Sequence, residues 1–214
     1  MKVFVTGTDT DIGKTIVSSL LVKAWKAKYW KPIQTGLESD PGDTKVVQGL
    51  TLLPNEYFMK PSIELLKPLS PWRAGVKENI ERIEIKDICL PEEFNDAKET
   101  LIIEGAGGLC VPINESTMMS DLICELNAPV ILVSRSGLGT LNHTLLSVEY
   151  LAKKKLICIG IILNGELNPD NAETIEKLTG IKVIAQIPKI DKRIESCNIE
   201  ELCNLIPPLS NLIT

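Results

Sequence analysis

Gly7-Thr8-Asp9-Thr10-Asp11-Ile12-Gly13-Lys14-Thr15 follows the apolar run Val3-Phe4-Val5 and leads into a segment with Ile16, Val17, Leu20, Leu21 and Ala24 on one helical face. Strand, glycine turn, Gly-Lys-Thr and helix, in that order, make a phosphate-binding loop. Backbone N–H groups of such a turn and of the helix start converge on phosphate oxygens. Lys14 adds a charge for the terminal phosphates, and the Thr15 hydroxyl suits Mg²⁺. The opening glycine stands one residue earlier than in the common G-x-x-x-x-G-K-[ST] spacing, and Thr8 holds its place.

Three further groups could join that loop. Lys31-Pro32-Ile33-Gln34-Thr35-Gly36 follows a second strand candidate. In an open parallel sheet the strand C-termini face the ligand crevice, which puts Lys31 on the same rim as Lys14. The plainer alternative is a solvated lysine before a turn-forming proline. Thr100-Leu101-Ile102-Ile103-Glu104 is an apolar strand ending in an acid, the pattern that holds Mg²⁺ opposite a phosphate loop. The glycines after it, Gly105, Gly107 and Gly108, permit close backbone approach to a ligand or simply make a flexible turn. Asp43, just before a helical pattern, is a metal-side carboxylate or an N-cap, and nearby Asp40 competes for either role. Ser136-Gly137-Leu138-Gly139-Thr140-Leu141-Asn142-His143 starts another helix, where free N–H groups suit a carboxylate. His143, the one histidine, lies a turn into that helix, where packing or capping competes with a role as general base.

The elements that must position these residues alternate along the chain. Strand candidates are 2–6, 29–33, 100–103, 129–134, 156–163 and 181–187, with a short addition at 56–59. Helical patterns lie near 14–27, 43–50, 120–127, 140–153, 170–178 and 198–205. Asn168-Pro169 supplies an N-cap and a proline at the first helical position, and Gly180 a stop. Runs such as Val130-Ile131-Leu132-Val133 are apolar throughout, as in parallel strands covered on both faces. The alternation implies a doubly wound α/β fold with a mainly parallel sheet flanked by helices, in one domain over 1–214. Residues 51–80, with four prolines, read as an excursion at the rim of the sheet.

Composition sets limits. The chain has 214 residues, 44% of them hydrophobic, and a formal net charge of −5. That charge argues against nonspecific nucleic-acid binding, which needs a basic surface. No apolar run approaches a membrane span, and Met1-Lys2-Val3 runs into the first strand with no room for a signal peptide before it. Cys89, Cys110, Cys124, Cys158, Cys197 and Cys203 form no CxxC pair, and one histidine cannot complete a zinc set. They read as reduced cytosolic thiols, mainly packing residues, and the expected location is cytoplasmic.

Taken together, the chain resembles the dethiobiotin synthetase family, ATP-dependent carboxylases that close a ureido ring in biotin synthesis. The resemblance rests on Gly7 through Thr15, Lys31 through Gly36, Glu104-Gly105-Ala106-Gly107-Gly108, and Gly139-Thr140-Leu141-Asn142-His143, in that order over nearly the whole chain. It implies a fold of the P-loop NTPase type, Mg²⁺ as cofactor, and ATP, CO₂ and 7,8-diaminopelargonate as substrates. One substrate amine captures CO₂ as a carbamate, and the carbamate oxygen attacks the γ-phosphate. The second amine then displaces phosphate from the carbamic–phosphoric anhydride. Such chemistry needs alignment and charge neutralisation more than a protein nucleophile.

The resemblance also implies roles. Lys14 and Lys31 would neutralise carbamate and γ-phosphate charge, and Thr15, Asp43 and Glu104 would hold Mg²⁺. Thr10, Asp11 and Thr35 would line the diamine and carbamate pocket. ATP contacts would come from Asp11, Ile12, Gly13, Lys14, Thr15 and Ile16, from Asp43, and from Glu104, Gly105, Ala106 and Gly107. Asn164 would meet the base, with Pro188-Lys189-Ile190 at a second nucleotide-side loop. Gly139, Thr140, Leu141 and Asn142 would bind the substrate carboxylate across a homodimer interface. The family usually shows Ser-Pro-His where this chain has Ser70-Pro71-Trp72, and often an aspartate where Gly165 follows Asn164. Two other classes use the same loop. Amide ligases of the cobyrinate type usually carry a glutamine-hydrolysing domain, and partition-type switch ATPases carry a second lysine where Thr8-Asp9 stand here.

Overall fold

Continuous burial along the central strands gives the sheet two apolar faces, and helices cover both. A computed structural model describes residues 1–94, 98–189 and 196–213, with the backbone alone for 196–198. The first half of the chain runs β1 (Lys2–Gly7), α1 (Lys14–Trp25), β2 (Lys28–Trp30), β3 (Ile33–Gln34), α2 (Asp43–Thr51), β4 (Phe58–Met59), β5 (Ile63–Glu64) and α3 (Pro71–Lys77). The second runs β6 (Leu101–Gly108), α4 (Met119–Leu126), β7 (Val130–Arg135), α5 (Thr140–Lys153), β8 (Cys158–Asn164), α6 (Pro169–Thr179), β9 (Val183–Ile187) and α7 (Ser196–Cys203).

Seven strands form one sheet in the order β4-β2-β6-β1-β7-β8-β9, every pair parallel. Phe4, Trp30, Leu101, Ile103 and Val130 point to one side, under Ala74 of α3 and Met119, Leu122 and Ile123 of α4. Leu132, two residues past Val130, continues that face with Ile161 and Leu163 under α5 and α6. Val3, Val5, Tyr29, Ile102, Ile131 and Ile162 point the other way, against Val17, Leu20 and Leu21 of α1, Val47 of α2 and Ile199 of α7. The chain leaves β1 for β2 on one side and later fills β7, β8 and β9 on the other. The crevice at such a switch in strand order is where open α/β sheets bind ligands.

Three expected elements change, and so does the reading of the cysteines. The strand expected over 29–33 breaks at Lys31-Pro32: β2 stays in the main sheet, while β3 pairs with β5 in a separate two-stranded sheet. Proline has no N–H to continue a ladder, so the chain turns there and carries Lys31 to the rim. The strand expected over 100–103 instead runs through the glycines to Gly108 and pairs with Gly7 of β1. Gly105 is needed for packing, since a Cβ there would lie 2.8 Å from the Phe4 ring. The irregular stretch 51–80 holds not only β4 but β5 and α3, which the sequence pattern did not give. Helix ends fall close to expectation: Asn168 accepts from Asn171 N at 3.0 Å, and Gly180 closes α6 at φ 70°. Cys89, Cys110 and Cys124 are exposed and so are not packing residues. Cys158 is half-buried, and burial pushes its thiol up to about 11. Among the described residues no helix is long and apolar enough to cross a membrane.

Candidate active site

The phosphate loop is held from several sides. Thr8 N donates to Val133 O at 2.9 Å, which ties the loop to β7. Asn164, at the end of β8, donates its amide to Ile12 O at 2.8 Å. Gly13 stands at φ 90°, and a Cβ there would lie 2.0 Å from Asn164 Nδ2, so both conformation and space demand glycine. At the tip, the Asp9 carboxylate accepts from Thr10 N at 2.7 Å and from Arg135 Nη2 at 3.2 Å. Lys14 Nζ donates to Asp9 O at 3.0 Å.

Opposite the loop, parity along the strands chooses the side chains. Ile102 and Glu104 share the face of β6 that looks toward α1, and Tyr29 beside Ile102 in register shares it too. Glu104 is 1% exposed. Lys31, two residues past Tyr29, brings its ammonium to Asp43 Oδ2 at 2.6 Å, Glu104 Oε1 at 3.2 Å and Gly105 O at 3.0 Å. The Thr15 hydroxyl lies 3.0 Å from both Asp43 Oδ1 and Glu104 Oε1. Its single hydrogen serves one of them at a time, so the other contact sets two acceptor oxygens side by side. Tyr29 OH donates to the second oxygen, Glu104 Oε2, at 3.0 Å.

The charges shift one another. Burial lowers the Lys14 ammonium from its usual range, and repulsion from Lys31 adds to it. Burial also works against the Lys31 charge, but Glu104 and Asp43 outweigh it and hold Lys31 above its usual range. Burial likewise opposes ionised Asp43, yet Lys31 and the Thr15 hydrogen bond hold it below the usual carboxylate range. Burial and then Glu104 keep the Tyr29 phenol well above its ordinary value.

These groups line a cleft of about 640 Å³, a volume in the range of small-molecule sites. Of the expected residues it gathers Thr10, Asp11, Gly13, Lys14, Thr15, Lys31, Thr35, Asp40, Asp43, Glu104, Ala106 and Gly107. Asp43 touches Thr15 and Lys31, whereas Asp40 turns its carboxylate to Gly42 N at 2.8 Å, a local turn contact. Ile12 is buried behind the loop, and Ile16 sits on α1 beyond it. Asn164 braces the loop through Ile12 and Gly13. Pro188 and Lys189 follow β9 at the same rim, and Ile190 lies outside the described residues.

Gly139, Thr140, Leu141 and Asn142 are not among the residues lining this cleft. The expectation of free N–H groups at this helix start fails at Thr140, whose N–H donates to Gly137 O at 3.1 Å because Gly139, at φ 90°, closes a turn there. The Thr140 hydroxyl is buried with Ser134 Oγ at 2.9 Å and Thr144 Oγ1 at 3.3 Å. The donors left at the helix start are those of Leu141 and Asn142. A second hollow, of about 500 Å³, lies between the phosphate loop and α5, lined by Thr8, Thr10, Val111, Leu146 and Tyr150 among others.

Sequence reasoning missed the cleft wall Pro68-Leu69-Ser70-Pro71, as well as Val111, Gln34 and Tyr29. Gln34 seats Asp43 by accepting from its backbone N–H at 2.8 Å. Tyr29 carried a faint signal, a polar tip inside an otherwise apolar strand. The wall's one signal was Ser70-Pro71, which the resemblance marked without giving it a place in the cleft; the wall forms when 36–38 pairs with 65–67 across thirty residues.

What the donor set can hold is clear from its chemistry. A threonine hydroxyl and two carboxylates converge from three elements beside a phosphate loop. Mg²⁺ is typically bound by one or two carboxylates together with substrate phosphates. Among the described residues no three acidic, histidine or cysteine side chains cluster as a self-sufficient metal cage.

A family model described as AAA domain matches residues 1–195. The chain is 43% identical over 185 residues to an ATP-dependent dethiobiotin synthetase of Paramagnetospirillum magneticum, covering 86% of each chain. It is 42% identical to another from Christiangramia forsetii, again covering 86% of each. It is 46% identical over 212 residues to a biotin biosynthesis bifunctional protein of Bordetella avium, covering 99% of this chain but only 44% of that protein. Among solved structures, a ParA family ATPase from Chlorobium tepidum superposes with a TM-score of 0.52 at 13% identity, covering 88% of this chain and 84% of that one. The Pyrococcus furiosus cell division ATPase MinD superposes at 0.51 and 16% identity, covering 96% of this chain and 89% of that one. These two likenesses are of fold.

Proposed function

The chain belongs to the ATP-dependent dethiobiotin synthetase family, and from that premise we propose that it carboxylates 7,8-diaminopelargonate with CO₂ at the expense of ATP and closes the ureido ring. One observation carries the assignment to this cleft. Lys31, at the mouth of the phosphate loop, joins Asp43 and Glu104 within reach of Thr15.

Phosphates on the Gly13–Thr15 backbone meet Lys14 at their terminal end. Thr15, Asp43 and Glu104 would hold Mg²⁺, which when bound spreads the charge of the β- and γ-phosphates. The diamine lies past Thr10 and Thr35, with one amine as carbamate beside Lys31. Lys31 and Lys14 face the oxygens on which charge grows as carbamate attacks phosphorus. The wall from Pro68 to Pro71 limits water at the anhydride, so that the second amine displaces phosphate. The protein supplies alignment and fixed charge, and the substrate amines supply the nucleophiles.

The same reading makes each active site the work of two subunits in a homodimer. Leu141 and Asn142 do not line their own cleft, so their donors suit the carboxylate tail bound in a second copy. Fully exposed Leu138 and the hollow beside Leu146 and Tyr150 supply apolar surface for the contact. The test is phosphate release with Mg·ATP and bicarbonate, with and without the diamine. Release that depends on the diamine supports the ligase. Release indifferent to it sinks that reading in favour of a nucleotide-switch ATPase.

A further inference from the structure

Tyr29 is fully buried on the face of β2 that packs against α1, among Val3, Val5, Leu20 and Ile102. Phenylalanine would satisfy that packing. The hydroxyl is the part the apolar face does not explain, and a buried tyrosine hydroxyl ordinarily has a specific partner. Its partner is Glu104 Oε2 at 3.0 Å.

The geometry is fixed by the sheet. Tyr29 pairs in register with Ile102, so Glu104 stands two residues further along β6, about 6.6 Å at strand rise. A tyrosine ring laid along the strand spans that gap and presents its hydroxyl to the carboxylate. Backbone pairing on both sides of β2, to β4 and to β6, holds the residue in place.

The two oxygens of Glu104 are thereby divided. Oε1 takes the Thr15 hydroxyl and Lys31, and Oε2 takes Tyr29. The last torsion of a glutamate is broad and roughly two-fold, so the side chain does not orient its own carboxylate. A donor on Oε2 removes that freedom and turns Oε1 toward the cleft. We propose that Tyr29 is a positioning residue, acting through Glu104 to aim the oxygen that faces Thr15 and the bound phosphates. The inference rests on reading Thr15, Asp43 and Glu104 as the metal–phosphate site. Partners that orient a metal-side carboxylate typically govern affinity by about 10–100-fold.

The experiment uses the full chain with ADP and Mn²⁺, binding being followed by the electron paramagnetic resonance signal of free Mn²⁺. All variants are measured below their own melting transitions. Tyr29→Phe should bind Mn²⁺ about 10–100-fold more weakly than wild type. Glu104→Gln alone should bind weakly, and adding Tyr29→Phe to it should weaken binding no further. That pair also removes the buried charge, so it tests the idea even where the single Tyr29→Phe chain is too unstable to titrate. Unchanged Mn²⁺ affinity in folded Tyr29→Phe, whatever its melting temperature, overturns the role and leaves the hydroxyl as a packing partner. A further loss in the paired variant overturns it as well, because Tyr29 would then act by another route. A wild-type chain that binds no Mn²⁺ with ADP overturns the metal reading itself and this inference with it.

Discussion

Replacing Lys31 with methionine keeps the apolar stem and removes the ammonium. Lys31 Nζ has three hydrogens and three acceptors: Asp43 Oδ2 at 2.6 Å, Glu104 Oε1 at 3.2 Å and Gly105 O at 3.0 Å. Its side chain is 5% exposed, so water cannot take over. The change leaves Asp43 and Glu104 sharing the Thr15 hydroxyl, with Tyr29, among the described residues, the one other hydroxyl on wholly buried Glu104. Removing one partner of a buried ion pair costs about 3–5 kcal/mol. For a chain of this size each kcal/mol moves Tm by about 2–4 °C, so Lys31→Met should melt roughly 6–20 °C below wild type near neutral pH.

The pH dependence has a defined sign. Lys31 holds Asp43 below its ordinary pKa, so that stability exists above the unfolded value and is lost as pH falls through the lowered one. Lys31 itself is raised, so its share exists below the unfolded value and is lost as pH rises through the raised one. The gap between wild type and variant should therefore form a plateau from about pH 4 to about pH 10.5 and close outside it. Added Mg²⁺ should raise Tm more in Lys31→Met than in wild type, because the variant has two uncompensated carboxylates. Calorimetric melts across pH, with and without Mg²⁺, check both. Equal melting temperatures near neutral pH, or a gap that persists in acid, would refute the reasoning.

The remaining expectations concern the neighbouring residues. Asp43→Asn should lower kcat by about 10²–10³, the scale of one preorganised electrostatic group, while Asp40→Asn stays within about 10-fold of wild type in steady-state assays. Gly13→Ala must meet Asn164 at 2.0 Å and hold φ 90°, so it should abolish ATP binding by calorimetry. Gly49→Ala, with nothing within 4 Å on α2, should raise stability by about 0.5–1 kcal/mol instead. Lys14→Ala and a variant disrupting Leu141–Asn142, each weak alone, should regain activity when subunits are mixed. No gain after confirmed exchange would remove the shared-site reading.

The doubly wound sheet was legible because its signals are local. Continuous apolar runs, a glycine loop opening a helix, and Asn168-Pro169 with Gly180 each carry their meaning within a few residues. The errors lie where neighbours in space decide. Gly105 through Gly108 look like a turn in isolation, but β1 lies alongside and draws them into β6. Residues 29–33 look like one strand, but Pro32 cannot donate, and β5, thirty residues on, takes Ile33 and Gln34 into another sheet.

The same division runs through the site. Residue types named its charged members, since a Gly-Lys-Thr turn, a strand-ending acid and a rim lysine are rare in combination. Nothing local chooses Asp43 over Asp40. That choice comes from Gln34, whose side-chain oxygen holds the Asp43 backbone and aims the helix start at Thr15. Nor does anything local say that Glu104 needs Tyr29, because the pair is 75 residues apart and meets only when β2 and β6 align. Side chains that do chemistry are marked by their type. The side chains that orient them are of ordinary type in an unusual place, and only the register of the sheet reveals that place.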